Sequence, residues 1–210
     1  MTAPGSYIQS AKSDTNLNSF QCSADSAGLE TMEGTSMATP VVAGLAALIR
    51  QYFQFGYFIN SDQQSSTGST SGAHSGTPMT PSAALVKAVL VHGGQAMNAP
   101  SPVATITSGP PSFIQGFGRV DLSTVLPVDF SQSPFRVYVS DDVAIQPDAM
   151  LSWCFTVRDG PAPVDANNIP IPFKATLVWT EPKGNVQSAY LLINNLDLAV
   201  IQYNADHSDG

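Results

Sequence analysis

The residues with the clearest capacity for chemistry lie together at Gly34-Thr35-Ser36-Met37-Ala38-Thr39-Pro40. A serine hydroxyl is a weak nucleophile at neutral pH and needs a base to take its proton. Its attack on a carbonyl creates an oxyanion, which needs hydrogen-bond donors aimed at it. A helix start supplies such donors, because its first N–H groups have no partner inside the helix and the positive end of the dipole lies there. Residues 36–54 predict that helix. Ser36 falls in its first turn, Gly34 leaves room for a substrate to approach the backbone, Thr35 lies between them, and Met37 is placed to line the wall of the site. On its own, a serine at a helix start is more commonly an N-cap than a nucleophile.

The helix that must carry this serine is apolar on nearly every face: Ala38, Val41, Val42, Ala43, Leu45, Ala46, Leu48, Ile49, Tyr52 and Phe53. That pattern predicts burial all round. Pro40 is expected in the first turn, where its missing N–H costs little, and Gly44 predicts close approach of a second backbone. Residues 1–35 read as irregular and extended, with turns at Gly5, Gly28 and Gly34. The polar, low-complexity stretch 60–80 reads as a surface loop. A second helix follows: Thr80 is placed to cap it, Pro81 to occupy its first turn, and Gly93 or Gly94 to end it. A Pro- and Ser-rich loop at 95–112 leads to a Gly-Phe-Gly turn and a short strand or helix start at 119–126.

Beyond Pro127 the period changes to two. Alternating segments stand at 135–140, 151–158, 173–179 and 196–203, separated by turn-forming residues. In 151–158 the inward set is Leu151, Trp153, Phe155 and Val157. This pattern predicts an antiparallel β-sandwich, with a boundary near 127–134.

Charged residues make up only 11% of the chain, against roughly 25% in an average soluble protein. The net charge is −8, and ten of the 16 acidic side chains lie beyond residue 128. Such a surface argues against nucleic acid as a partner. Cys22 and Cys154 fit no metal spacing; they could form one bridge, and two separate thiols is the favoured reading. No apolar run approaches the roughly 20 residues of a membrane helix. Met1-Thr2-Ala3-Pro4-Gly5 does not open a signal peptide. Asn194, Asn195 and Asp197 offer oxygens of the kind calcium takes, or the turn-forming amides of a strand entry, the favoured reading. No full ligand set is readable, so no metal residue is assigned and structural calcium stays an open expectation.

Gly34 to Pro40, followed by Val41-Val42-Ala43-Gly44, resembles the nucleophile motif of the subtilisin-like serine proteases. Thr2-Ala3-Pro4-Gly5 with Ile8 and Ser10 resembles the segment preceding it. Residues 81–93 are similar to the family's next helix, and Gln115-Gly116-Phe117-Gly118-Arg119-Val120 to its closing turn and strand. Leu177-Val178-Trp179 and Asn194-Asn195-Leu196-Asp197-Leu198 resemble the sandwich that follows the peptidase domain in one alkaline-protease branch. The resemblance implies an α/β fold, the C-terminal portion of a three-layer peptidase domain over 1–128, then a partial jelly-roll-like β-sandwich over 129–210, both incomplete.

It also implies peptide-bond hydrolysis through an acyl-enzyme on Ser36, with Gly34, Thr35 and Met37 in the substrate and oxyanion region. In the family the order is aspartate, histidine, serine. The first two would stand before Met1, as would the oxyanion-hole asparagine, so the chain reads as a fragment, inactive alone, of a secreted or lumenal endopeptidase. No cofactor is needed for this chemistry. The expected partners are a polypeptide substrate and an upstream segment supplying the aspartate and histidine. His74 and His207 read as solvated, and His92 as a partner of its own helix C-terminus. Glu33 departs from the small or polar residue usual before the motif glycine. It could raise a histidine's pKa, repel acidic substrates, or point to solvent, the favoured reading. Two other readings stand beside the protease: a non-catalytic remnant that binds or adheres through its sandwich, and one piece of a two-chain enzyme.

Overall fold

The computed structural model describes residues 1–12, 28–58, 77–97, 111–128, 133, 135–155, 164 and 173–202. Its first element is a hairpin-like pair. Strand β1 (Ile8–Ala11) runs antiparallel to β2 (Leu29–Met32), with Ile8 opposite Met32 and Ala11 opposite Leu29. The sequence reading missed this pair, because Leu29-Glu30-Thr31-Met32 is exposed on both faces and shows no alternation.

Helix α1 spans Thr35–Gln54, one residue earlier than the sequence predicts. Its burial differs from the expectation. Only Ile49, Tyr52 and Phe53 are fully buried, while Ala43, Gly44, Ala47 and Leu48 are exposed. No atom lies within 4 Å of a Cβ built on Gly44, so no second backbone packs there. The apolar pattern records what the helix is suited to bury. Nothing among the described residues covers that face. Pro40 also sits differently: it is the sixth residue of α1, past the first turn.

Helix α2 (Ala83–His92) crosses the C-terminal half of α1. Its cap is Ser82, not Thr80. The Ser82 hydroxyl accepts from the Leu85 amide at 3.0 Å, and Pro81 stands outside the helix. The cause is Asp141, whose carboxylate takes the Ser82 amide at 2.8 Å and so holds that residue out of the helical ladder. Gly93 ends α2 as predicted.

The core forms where the two helices meet: Ile49, Tyr52, Phe53 and Phe58 against Leu85, Val89, Leu90 and Val125. Tyr52 and Phe53 meet edge to face at 5.4 Å, and Phe53 and Phe58 at 5.1 Å. Such pairs contribute about 0.5–1.5 kcal/mol each beyond the area they bury. The buried Tyr52 hydroxyl donates to the Pro127 carbonyl at 2.9 Å, tying that stretch of backbone to α1. Strand β3 (Gly94–Gln95) pairs antiparallel with β4 (Arg119–Val120), a 3-10 turn follows at Leu122–Thr124, and Thr2 adds a parallel bridge to Arg119.

The described parts of the four alternating segments, 135–140, 151–155, 173–179 and 196–202, form no strands. No strand ladder joins these segments among the described residues. Phe155 of the inward set touches Tyr138, with ring centroids 5.1 Å apart, and Phe173, 6.3 Å apart. Yet Trp153 and Phe155 remain 47% and 49% exposed. Alternation specifies which side chains share a face. It does not supply the neighbour whose backbone completes a ladder.

Candidate active site

Three short segments converge on the start of α1. The first is the N-terminal stretch. Thr2 N donates to Gly118 O at 2.9 Å, which fixes that stretch to the closing turn. Gly34 N then donates to Gly5 O at 2.7 Å, which fixes it to the helix entry. A Cβ on Gly5 would lie 2.7 Å from Gly34 O and 3.1 Å from the Ala38 Cβ. Any side chain at position 5 would therefore push the entry of α1 outward.

The second segment is the turn from β2 into the helix. Gly34 is the N-cap, with φ 143° and ψ 177°, a backbone conformation that side-chain-bearing residues rarely adopt. No side chain caps the helix there. Met37 N and Ala38 N both donate to Gly34 O, at 3.1 and 3.3 Å. Among the described residues, the amides of Thr35 and Ser36 therefore have no acceptor, and they lie at the positive end of a 20-residue helix.

The third segment is α1 itself. Ser36 is exposed in the first turn and Met37 beside it is half-buried. Among the described residues nothing shares a hydrogen bond with the Ser36 hydroxyl. Thr39 turns its hydroxyl back to the Thr35 carbonyl at 2.8 Å. Pro40, four residues after Ser36, has no N–H to give to the Ser36 carbonyl, and its ring crowds that oxygen. The helix therefore begins with a turn that is incompletely bonded on the serine's side.

Glu33 is exposed, in keeping with the solvent reading, but it is not free: Ser6 Oγ donates to its carboxylate at 3.1 Å. Tyr7, next to Ser6, has φ 54°, which costs a bulky residue of the order of 1 kcal/mol or more. These contacts bring Gly5 and Ser6 to the site. The sequence reading took Gly5 only as a turn point and as part of a resemblance. The signal available was the Pro4-Gly5 pair, which does not say what the glycine must approach.

The described histidine does not join Ser36. His92 ends α2 with its Nδ1 2.9 Å from Thr176 Oγ1. The helix C-terminus it was expected to serve is instead met by Lys174, whose Nζ donates to the His92 carbonyl at 2.7 Å. Burial, aided by the Lys174 charge, holds the His92 pKa below the usual histidine value. His74, His207 and Cys22 lie outside the described residues; Cys154 is free and exposed.

Asn194 spends its amide on a carboxylate. Its N and Nδ2 both donate to Glu181, at 3.1–3.3 Å, and Trp179 Nε1 donates to the same carboxylate at 2.7 Å. These donors hold the Glu181 carboxyl below the usual carboxylate range, led by Trp179. Among the described residues no three His, Cys, Asp or Glu gather as metal ligands. A groove lined by Leu48, Gln51, Tyr52, Tyr57, Leu122 and Leu126 lies at the other end of α1, twelve residues and so about 18 Å along the helix from Ser36. It is separate from the serine site.

Comparison with known proteins gives the family. Residues 1–118 match the Subtilase family. Over 97% of its length the chain is 33% identical to the serine protease/ABC transporter B family protein tagA of Dictyostelium discoideum, of which it spans 10%. It is 28% identical to tagD of the same organism over 95% of the chain, spanning 12% of that relative, and 26% identical to tagB over 98%, again spanning 12%. The chain thus covers about a tenth of the length of these relatives. No solved structure matches. With more than half its residues in that match, the chain belongs to the subtilase family.

Proposed function

We propose that these residues form the nucleophile-bearing part of a serine endopeptidase that cleaves polypeptides through an acyl-enzyme on Ser36. The carrying observation is the exposed serine in the first turn of α1, beside two amides at the positive end of that helix that have no acceptor among the described residues. Ser36 Oγ attacks the peptide carbonyl. Its proton passes to a histidine base and then to the leaving amine, and water repeats the sequence on the ester. The Ser36 amide is one donor to the oxyanion. Gly34 and Thr35 form the floor the substrate crosses, and Met37 the adjoining wall.

The base and its orienting aspartate come from outside these 210 residues. Support comes from the described histidine, which is engaged with Thr176, and from relatives that are roughly ten times longer. The 210 residues alone are therefore inactive, since losing triad partners costs on the order of 10⁴ to 10⁶ in rate. No cofactor takes part in the chemistry. We divide the chain into a peptidase portion, 1–128, and a second unit, 129–210, whose alternating segments, with Tyr138, Phe155 and Phe173 in ring contact, are the material of a β-sandwich. The setting is secreted or lumenal, in keeping with the low charge content; no described helix is long and apolar enough to cross a membrane.

The test is hydrolysis of casein by the full polypeptide that carries this sequence, beside its Ser36→Ala variant. Activity in the parent and its loss in the variant are expected. Equal activity in both would overturn the assignment.

A further inference from the structure

We propose that the C-terminal end of α2 is a pH-sensitive latch, which holds the segment 173–179 against the peptidase portion near neutral pH and loosens its grip as the medium acidifies through the histidine range. This inference does not depend on the catalytic reading of Ser36.

The latch has two contacts on one short segment. Lys174 and Thr176, two residues apart, both reach the end of α2. Lys174 Nζ donates to the His92 carbonyl at 2.7 Å. Thr176 Oγ1 meets His92 Nδ1 at 2.9 Å. One residue of α2 thus receives both contacts, through its backbone and through its ring. A lysine on the last carbonyls of a helix is favourable in itself, because the negative end of the dipole lies there.

The ring is where pH enters. Neutral imidazole satisfies Thr176 in either tautomer. Protonation keeps a hydrogen bond possible, but it places an imidazolium, half-buried, beside the Lys174 ammonium. The helix end would favour that second charge. Burial and the neighbouring lysine oppose it, and they prevail: the His92 pKa is held below the ordinary value by desolvation first and by Lys174 second. Lys174 belongs to the segment, so its charge lowers the His92 pKa only while the latch is closed, and the closed state binds fewer protons than the open one. The contact is therefore fully present above the ordinary histidine value of about 6.5, and is lost as pH falls from there through the lowered value. Lys174, whose pKa is also lowered by burial, remains cationic through this window.

The other charged groups near His92 do not offset this effect. From the β4 side, Asp121 gives its amide to the Gly93 carbonyl but turns its carboxylate to Ser123 and to Arg119, 3.9 Å away. On α2 itself, Lys87 is exposed five residues back. The opposite end of α2 is held by the Ser82–Asp141 hydrogen bonds, in which no histidine takes part. The two ends should therefore respond differently to acid.

Hydroxyl-radical footprinting of the full chain at pH 7.5 and 5.5 tests this, reading oxidation of half-buried Val178 and Trp179 against exposed Met150 as internal reference. In the parent, oxidation at 178 and 179 should rise about threefold or more on acidification. In His92→Gln, which can still meet Thr176 but cannot titrate, it should stay constant. Lys174→Met leaves His92 in place and provides an arm that does not depend on folding of the first variant. Losing the like charge should make its acid response smaller than the parent's. A flat parent response, an equal rise in His92→Gln, or an undiminished response in Lys174→Met would overturn the latch.

Discussion

The amide of Gly34 donates to the carbonyl of Gly5 across 2.7 Å, and this bond sets where the first turn of α1 begins. The N-terminal stretch is anchored at Thr2 to the closing turn and at Gly5 to the helix entry. Ser36 is therefore positioned from two directions: by its own helix, and by a strand-like clamp some thirty residues earlier in sequence.

The clamp leads to a first prediction. Gly5→Ala places a methyl 2.7 Å from Gly34 O, closer than real Cβ contacts come. The backbone at Gly34 must move, and Ser36 moves with it. In the full polypeptide the rate of serine labelling by a fluorophosphonate should fall about ten- to hundredfold, the cost typical of misplacing a reacting group by about 1 Å. An unchanged rate would show that the Gly5 contact does not position the nucleophile.

Pro40 offers a change in which stability and reactivity separate. Pro40→Ala restores an N–H that can reach the Ser36 carbonyl and removes a ring that crowds it. The helix should gain roughly 1–3 kcal/mol. The first turn should tighten at the same time and withdraw Ser36, so labelling should slow while Tm rises. A fall in Tm would show that the proline ring contributes packing that outweighs the lost bond.

The Tyr52 hydroxyl ties α1 to the backbone at Pro127. Tyr52→Phe removes the donor to Pro127 O and leaves that carbonyl unpaired, at a cost of about 1–2 kcal/mol in urea unfolding. Burial also raises the phenol's pKa well above its ordinary value of about 10. The sign follows: the folded state holds this proton more tightly than the unfolded state. The stabilisation is complete below pH 10 and is lost as pH climbs past it. Tyr52→Phe should accordingly show a shallower fall in stability than the parent between pH 10 and 12.

The uncovered face of α1 predicts association. Leu48 is 53% exposed, beside exposed Ala43, Gly44 and Ala47. Exposed apolar patches of this kind drive aggregation. The 210-residue chain should elute as aggregates in gel filtration, and Leu48→Lys should raise the monomer fraction with little change in Tm, as expected of a surface substitution. A monodisperse parent with a cooperative melt would contradict this.

Those outcomes bear on what the sequence could reveal. α1, α2 and the Gly-Phe-Gly turn were legible because helix periodicity, Gly93 and the turn glycines are local signals. The family was legible because the Gly34–Pro40 string is specific at each position. The cap of α2 was misread by two residues because the deciding partner, Asp141, lies 59 positions away. The burial of α1 was overestimated for a similar reason: an apolar face states a preference, and the neighbour that satisfies it is a separate fact. The same gap separates the alternating segments beyond Pro127 from a formed sheet. Gly5 carried no local sign of its contact with Gly34, and Lys174 none of its contact with His92. Long-range pairings of this kind are set by tertiary packing, which single residues do not announce.

The most direct measurement is mass-spectrometric mapping of the fluorophosphonate adduct on the full polypeptide. The expected result is a single phosphonylated serine at position 36, absent after Ser36→Ala and blocked by prior exposure to a peptidyl chloromethyl ketone. An adduct on another serine, with Ser36 unmodified in folded protein, would contradict the assignment of this residue as the nucleophile.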